Sequence, residues 1–183
     1  MAILKIAQMG HPILRAVAAP VDPAEILEPG FQELLNDMVE TLRDYDGAGL
    51  AAPQVREGIQ VVAIEVRHNR RYPEAPTIPL TILINPQVTT LTDERVAGWE
   101  GCLSLPKLRG LVGRHRAVEV EALDRNGRPV RFCAEGFFAT VVQHEVDHLR
   151  GILFVDRMDD LRTLAFLSEW ERYWQTPAPT PCS

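Results

Sequence analysis

The order of apolar and polar positions predicts helices on either side of a region of strands. Residues 29–46 repeat apolar side chains at helical spacing. The apolar face of this helix consists of Phe31, Leu34, Leu35, Met38 and Leu42. Residues 137–150 predict a second helix, which Gly151 ends because glycine readily takes the left-handed backbone that closes helices. Residues 161–174 predict a third helix.

Strand patterns fill the middle of the chain. They are apolar, β-branched or alternating, and occupy residues 59–66, 80–85, 87–91, 116–123 and 129–134. Asn126-Gly127 is a strong signal for a tight hairpin turn before the last of them. Residues 47–54 are rich in glycine and alanine and predict a loop, and residues 67–79 predict a polar, proline-rich surface loop.

This arrangement indicates an α+β fold, with antiparallel strands around a central helix that carries the candidate metal ligands. One helix precedes the strands and another follows them. The 183 residues suffice for one domain, which we place at residues 1–175. Residues 176–183 are proline-rich and predict a disordered tail.

Composition narrows the class of protein. The chain is 46% hydrophobic and 24% charged, as expected of a folded soluble protein. Its formal net charge of -6 gives no reason to expect direct nucleic-acid binding. We find no membrane span, no secretory signal and no disulfide framework in the sequence. A cytoplasmic location is the default expectation, and a processed organelle protein would have the same features.

The pentapeptide HEVDH at residues 144–148 carries the strongest chemical signal. Helical positions four apart lie about 40° apart around the axis, so the imidazoles of His144 and His148 can hold one metal ion. Glu145 lies beside them and can handle a proton of water. Both histidines share an apolar helix stripe, where buried imidazoles need partners. The ordinary alternative is a solvated face on which Glu145 and Asp147 are surface charges.

A catalytic metal site needs a third protein ligand. The best candidate is Cys102, within the segment EGCLS at residues 100–104. Downstream carboxylates are the alternative, namely Asp156, Asp159 and Asp160. We interpret Cys133 as a small buried apolar residue of a strand, and Cys182 as incidental.

Three segments in order resemble the three motifs of peptide deformylases. They are GAGLAAPQ at residues 47–54, EGCLS at 100–104 and QHEVDH at 143–148. The resemblance extends over about residues 10–158. It implies a hydrolase that removes the formyl group from the N-terminal methionine of new proteins, with formyl-methionyl nascent peptides as substrates. It also implies one divalent metal ion, commonly Fe(II), which Zn, Ni or Co can replace.

The resemblance implies a role for each matching residue. The metal ligands would be Cys102, His144 and His148. Glu145 would be the catalytic acid–base. Gln54 and the backbone N–H of Leu103 would stabilise the negative charge on the formyl oxygen. Gly49 and Gly101 would bind the backbone of the substrate peptide.

The C-terminal segment departs from part of the family. Some members end in a basic helix that docks on the ribosome, whereas residues 156–175 contain three arginines against five carboxylates. We therefore expect this segment to pack on the domain or on another subunit. Transient ribosome contact elsewhere stays open.

Two other functions compete with this interpretation. A zinc endopeptidase of the H-E-x-x-H type would need a downstream ligand and would leave Cys102 and Gln54 unexplained. The second competing function is not enzymatic: the protein would hold a structural metal ion, or it would be an inactive deformylase-like binder. A structural site normally has four protein ligands, and an inactive relative would most simply lack Glu145 or Gln54.

Overall fold

The computed structural model describes residues 2–67 and 75–175. The helices in these ranges are α1 (Pro29–Asp44), α2 (Gly136–Leu149) and α3 (Leu167–Tyr173). The strands are β1 (Gly49–Ala51), β2 (Val61–Val66), β3 (Ile78–Thr90), β4 (Arg95–Cys102), β5 (Leu105–His115), β6 (Ala117–Leu123), β7 (Pro129–Glu135) and β8 (Ala165–Phe166). Among the described residues they form two antiparallel sheets, in the orders β1-β2-β3-β6-β7 and β4-β5-β8. The predicted α+β class is confirmed.

The larger sheet lies between α1 and α2. All six residues of β2 are buried, because its two faces pack against different helices. Val62 and Ile64 share a core with α2, and Val61 and Ala63 share another with α1. A strand covered on both faces is mostly apolar, and β2 has Glu65 as its one charged residue, which is why β2 was readily predicted.

The smaller sheet was not predicted from the sequence. Its strands β4 and β5 form a hairpin in which Cys102 pairs with Leu105 across the turn. Glycines and charged residues interrupt the apolar pattern of both strands and hide it. The hairpin is nevertheless essential to the site described below, because Cys102 is the last residue of β4 and lies at the turn of the hairpin.

Three predicted boundaries were wrong. Residues 49–51, predicted as loop, form edge strand β1, which pairs with β2. The two strands predicted at 80–85 and 87–91 are the single strand β3. It continues past Pro86 through a register shift, with Asn85 at a φ of 53°.

The third error concerns the C-terminal helix predicted at residues 161–174. The structure has a 3₁₀ turn at Leu161–Thr163, then β8, and only then α3. β8 pairs with β5 through Leu108 and Arg109, so hydrogen bonding to a free sheet edge overrides helix propensity there.

The remaining elements agree with the sequence. The hairpin turn at Asn126-Gly127 joins β6 to β7, and Gly127 has a φ of 73°. Gly151 follows α2 with a φ of 71°. Most of the predicted 67–79 loop and all of the 176–183 tail lie outside the described residues. No described helix combines the length and the apolar character that crossing a membrane would require.

Candidate metal centre

Three buried donors from two elements meet at the centre of the fold. Cys102 ends β4, and His144 and His148 lie one turn apart on α2. Their candidate ligand atoms all lie within 4.8 Å of one another. Sγ of Cys102 is 3.2 Å from Nε2 of His148. The pairing that the sequence only suggested, a cysteine 42 positions upstream of the first histidine, is therefore present in space.

α2 is central because strands surround it. It contacts β1, β2, β5 and β7, and its residues from Val141 to Leu149 are almost all buried. The alternative of a solvated histidine face is therefore wrong. Asp147 is buried too, whereas the alternative of a solvated face required Asp147 to be a surface charge.

The environment of Cys102 favours the thiolate. Burial would raise the pKa of its thiol, but the imidazoles of His148 and His144 outweigh burial and hold that pKa well below the ordinary value. Sγ also accepts from Nε2 of Gln54 and from the backbone N–H of Ser104, each at 3.4 Å. A thiolate is the form of cysteine that binds metals.

Glu100 orients His144. Its Oε2 lies 2.8 Å from Nδ1 of His144, and both its oxygens accept from Arg114, at 2.8 and 3.1 Å. Burial opposes its charge, but hydrogen bonds from His144 and Arg114 prevail and lower the pKa of Glu100 to about 2. A carboxylate on Nδ1 fixes the tautomer that leaves Nε2 free to bind a metal.

The ion pairs continue behind α2. NH1 of Arg114 donates to Oδ2 of Asp147 at 2.5 Å, and Arg157 donates to both oxygens of Asp147, at 3.1 and 2.7 Å. Glu100, Arg114 and Asp147 are each no more than 5% exposed. Two carboxylates thus hold one buried guanidinium rigidly against the helix that carries the histidines.

Glu145 faces the cavity in front of the donors. Burial raises the pKa of this carboxyl above its usual range. Gly49 lies directly against it, because a Cβ built on Gly49 would be 2.5 Å from Oε1 of Glu145. The absence of a side chain at position 49 is therefore required by packing, independently of any substrate.

The other predicted site residues also line this cavity. They are Gly49, Gln54, Gly101 and Leu103. Gln54 is buried, its Oε1 accepts from the backbone N–H of Ala51, and its Nε2 also lies 3.3 Å from Oγ of Ser104. A Cβ on Gly101 would collide with the guanidinium of Arg109.

The rejected candidates lie elsewhere. Asp156 pairs with Arg15, Asp160 pairs with Arg162 at 2.8 Å, and the group of possible metal ligands among the described residues includes none of Asp156, Asp159 and Asp160. The interpretation of Cys133 as buried was wrong. Its side chain is exposed on β7, on the same strand face as the exposed Arg131 and Glu135.

The donor set fits one divalent metal ion. Within residues 2–67 and 75–175, two buried side-chain atoms beside the donors have no hydrogen-bond partner, Nδ1 of His148 and Oε2 of Glu145. Two imidazoles and a thiolate leave an open position on a tetrahedral ion, as catalytic sites require. Burial tends to lower the pKa of His144, but contacts with Cys102 and Glu100 raise it, so a metal must displace a proton there.

The C-terminal helix packs on the domain, which was one of the two arrangements expected for this segment. The ring of Trp99, which lines the cavity, lies 6.1 Å from that of Trp170 and 5.4 Å from that of Trp174. The guanidinium of Arg109 lies over the Trp170 ring at 5.3 Å. α3 therefore supports one wall of the cavity.

Sequence reasoning missed Glu100, Arg114 and Trp99. Glu100 was within a motif, but no spacing rule connects it with His144, 44 positions away. Arg114 gave no usable signal, because the apolar pattern of β5 is itself interrupted by glycines and charged residues.

Comparisons with known proteins agree with the geometry. The family model described as polypeptide deformylase matches residues 3–163. Peptide deformylase 1 of Bordetella pertussis is 47% identical over 161 residues, covering 88% of this chain and 90% of the relative. Peptide deformylase 1 of Prochlorococcus marinus is 45% identical over 172 residues, covering 93% of this chain and 88% of the relative.

Solved structures give the same result. The Met-Ala-Ser-bound crystal structure of class I type b peptide deformylase from Acinetobacter baumannii has a TM-score of 0.83 and 41% identity, covering 86% of this chain and 99% of that one. A peptide deformylase from Synechococcus elongatus in complex with actinonin has a TM-score of 0.79 and 34% identity, covering 94% of this chain and 86% of that one.

Proposed function

Because this chain belongs to the polypeptide deformylase family, we propose that it removes the formyl group from the N-terminal methionine of new proteins and releases formate. The observation that carries this proposal is the meeting of Cys102, His144 and His148 beside Glu145, in a cavity that Gln54 also lines. A metal-dependent hydrolase of a small amide needs a metal site, a proton carrier and an oxyanion donor in one cavity.

The metal ligands are Cys102, His144 and His148, and Glu100 keeps His144 in the metal-binding tautomer. When bound, the ion supplies Lewis acidity, which lowers the pKa of water and polarises the formyl carbonyl. We take the ion to be Fe(II), the metal commonly found in the family, with Zn, Ni or Co able to replace it. A thiolate with two imidazoles suits each of these metals.

Glu145 is the acid–base residue. It takes a proton from the attacking water and delivers it to the leaving amine of the methionine. The raised pKa of Glu145, caused by burial, suits a group that must both accept and donate a proton near neutral pH. Gly49 holds this carboxyl in place, because only a residue without Cβ can lie so close to it.

Gln54 and Leu103 stabilise the oxygen of the formyl group as it becomes negative. Nε2 of Gln54 already points at Sγ of Cys102, so a carbonyl oxygen beside the ligands comes within its reach. Leu103 follows Cys102 in the β4–β5 turn and contributes its backbone N–H. Donors fixed in advance by the fold need no reorganisation when the charge develops.

The substrate peptide lies along the backbone at Gly49 and Gly101, both of which line the cavity. β1 is an edge strand of its sheet, and an extended peptide can pair with such an edge. The relative from A. baumannii binds Met-Ala-Ser, which is the deformylated form of formyl-Met-Ala-Ser.

Residues 1–175 act as one catalytic domain, because both sheets and α2 contribute to the one cavity. Ribosome contact, where it occurs, is transient and does not depend on the charge of residues 156–175, which have three arginines against five carboxylates. We place the reaction in the cytoplasm, where new chains still carry the formyl group.

The endopeptidase alternative lacks support. It requires a downstream ligand, whereas Asp156 forms an ion pair with Arg15 and Asp160 forms one with Arg162. The group of possible ligands found among the described residues has Cys102 as its third member.

The test is release of formate from formyl-Met-Ala-Ser by protein purified without oxygen and loaded with Fe(II). We expect turnover by the natural chain. Glu145→Ala should keep its metal and lose about 10²–10⁴-fold in rate, the usual contribution of acid–base catalysis. Glu57→Ala, at an exposed carboxylate, is the control and should behave as the natural chain. Cleavage of internal peptide bonds, or full activity without Glu145, would contradict the proposal.

A further inference from the structure

A second cavity lies on the other side of α2 from the metal ligands. Its volume is about 210 Å³. α2 lines it with side chains three and four residues apart, which form one stripe: Gln143, Val146, Asp147 and Arg150. The catalytic cavity is lined from α2 by a different stripe, which includes Val141, His144 and Glu145. The two cavities share no lining residue, so the second one is a separate feature.

The wall of this second cavity is strongly basic. It carries four arginines from four parts of the chain, namely Arg95, Arg114, Arg150 and Arg157, and its one carboxylate is that of Asp147. The whole chain has a formal net charge of -6. A local excess of positive charge in an acidic protein attracts small anions, and a concave surface concentrates that field.

The pairing within the wall leaves part of this charge uncompensated. Asp147 is shared between Arg114 and Arg157. NH2 of Arg95 donates to the backbone carbonyl of Gly113 at 2.7 Å, which satisfies a hydrogen bond but not a charge. Among the described residues, neither Arg95 nor Arg150 forms an ion pair with a carboxylate.

The arginines of this cavity differ in how exposed their side chains are, and this difference suits the binding of an anion. Arg114 is 5% exposed and is fixed by Glu100 and Asp147, so it belongs to the framework. The side chain of Arg157 is 41% exposed although it is anchored on Asp147, and Arg95 and Arg150 are exposed. An anion that enters the cavity thus meets the oriented guanidinium of Arg157 and the two exposed guanidinium groups of Arg95 and Arg150.

We propose that this cavity binds a small phosphate-type anion, inorganic phosphate or a phosphate monoester. Planar guanidinium groups offer pairs of N–H donors that match the oxygens of phosphate. The cavity volume of about 210 Å³ is far above the roughly 10–15 Å³ that a single water molecule needs, so the anion fits with part of its hydration shell. The net negative charge of the chain opposes a long polyanion, so a small anion is the ligand.

The experiment is calorimetric titration of inorganic phosphate into the metal-loaded protein, with sodium chloride of equal ionic strength as the reference. The natural chain should bind phosphate at one site beyond the effect of chloride. The double variant Arg95→Gln with Arg150→Gln should bind at least about tenfold more weakly, because each lost charge-assisted hydrogen bond contributes more than a tenfold factor. Deformylation and metal content should be unchanged, since neither residue touches the catalytic cavity.

Arg131→Gln is the matched control. Arg131 is an exposed arginine of β7, 65% exposed and paired with Glu119, and its loss should leave phosphate binding intact. Equal phosphate binding by the double variant would place the anion elsewhere, including at the metal, and would overturn the proposal. The absence of phosphate binding by the natural chain would overturn it as well, whatever the deformylase activity.

To distinguish the two sources of phosphate, the same titration is made with a nucleoside monophosphate. Binding of either ligand that depends on Arg95 and Arg150 supports the site, and their relative affinities identify the source. Binding of a short ribo-oligonucleotide in the absence of binding by both small anions would contradict the proposal.

Discussion

Replacing Glu100 by glutamine tests the carboxylate that orients His144. The carboxylate accepts hydrogen bonds on both oxygens, from Nδ1 of His144 at 2.8 Å and from Arg114 at 2.8 and 3.1 Å. Glutamine keeps the shape but replaces one acceptor by an NH₂ group. At least one N–H of His144 or Arg114 must then face another donor in a buried site.

The structure sets the size of the effect. In the metal-free protein the pKa of Glu100 is about 2 against an ordinary 4.5, because hydrogen bonds from His144 and Arg114 outweigh burial. At about 1.4 kcal/mol per tenfold change in the proton equilibrium, the folded state stabilises this charge by roughly 3 kcal/mol. This contribution of the Glu100 charge to the stability of the folded state is complete above pH 4.5 and is lost as the pH falls towards 2. The natural chain and Glu100→Gln should therefore differ at pH 7 and converge in acid.

The functional consequence should appear in metal binding. Loss of a carboxylate that holds a ligating histidine typically lowers metal affinity or activity about 10–100-fold. We expect this loss in competition with a chelator at pH 7, and a matching fall in kcat/KM at limiting metal. Glu94→Gln, at an exposed carboxylate paired with Arg116, is the control and should change neither quantity. Natural metal affinity in Glu100→Gln would refute the role assigned to Glu100.

Two further substitutions test other parts of the site. Cys102→Ala should abolish tight metal binding in elemental analysis, because it removes one of the three proposed ligands, whereas Cys133→Ala, at an exposed thiol, should retain a full metal content. Full metal and normal activity in Cys102→Ala would remove it from the site. Gln54→Ala should lower kcat and kcat/KM about 10²–10³-fold with KM nearly unchanged, because it removes a transition-state donor. It should also cost roughly 1–3 kcal/mol in urea unfolding, because the N–H of Ala51 loses its acceptor. A rise in KM alone would show that Gln54 binds the ground state.

The sequence by itself determined the local elements with strong periodicity. α1 and α2 were predicted because each has an apolar stripe at helical spacing, and the β6–β7 hairpin because Asn126-Gly127 fits its turn. It also determined the chemistry of the site, since HEVDH places two imidazoles on one helix face by covalent spacing alone. Cys102 and Gln54 were identified through their motifs, because no local rule connects them with α2.

Only the tertiary structure decided which distant groups meet. Glu100, 44 positions from His144, and Arg114, 33 positions from Asp147, become neighbours because the β4–β5 hairpin packs beside α2. The strand at β8 likewise forms only because β5 offers an edge for pairing, against the helical preference of its own sequence. The spacing of residues along a helix fixes their geometry locally, whereas contacts between elements depend on how the whole core packs. For that reason the candidate ligands could be named from the sequence, and the groups that hold them in place could not.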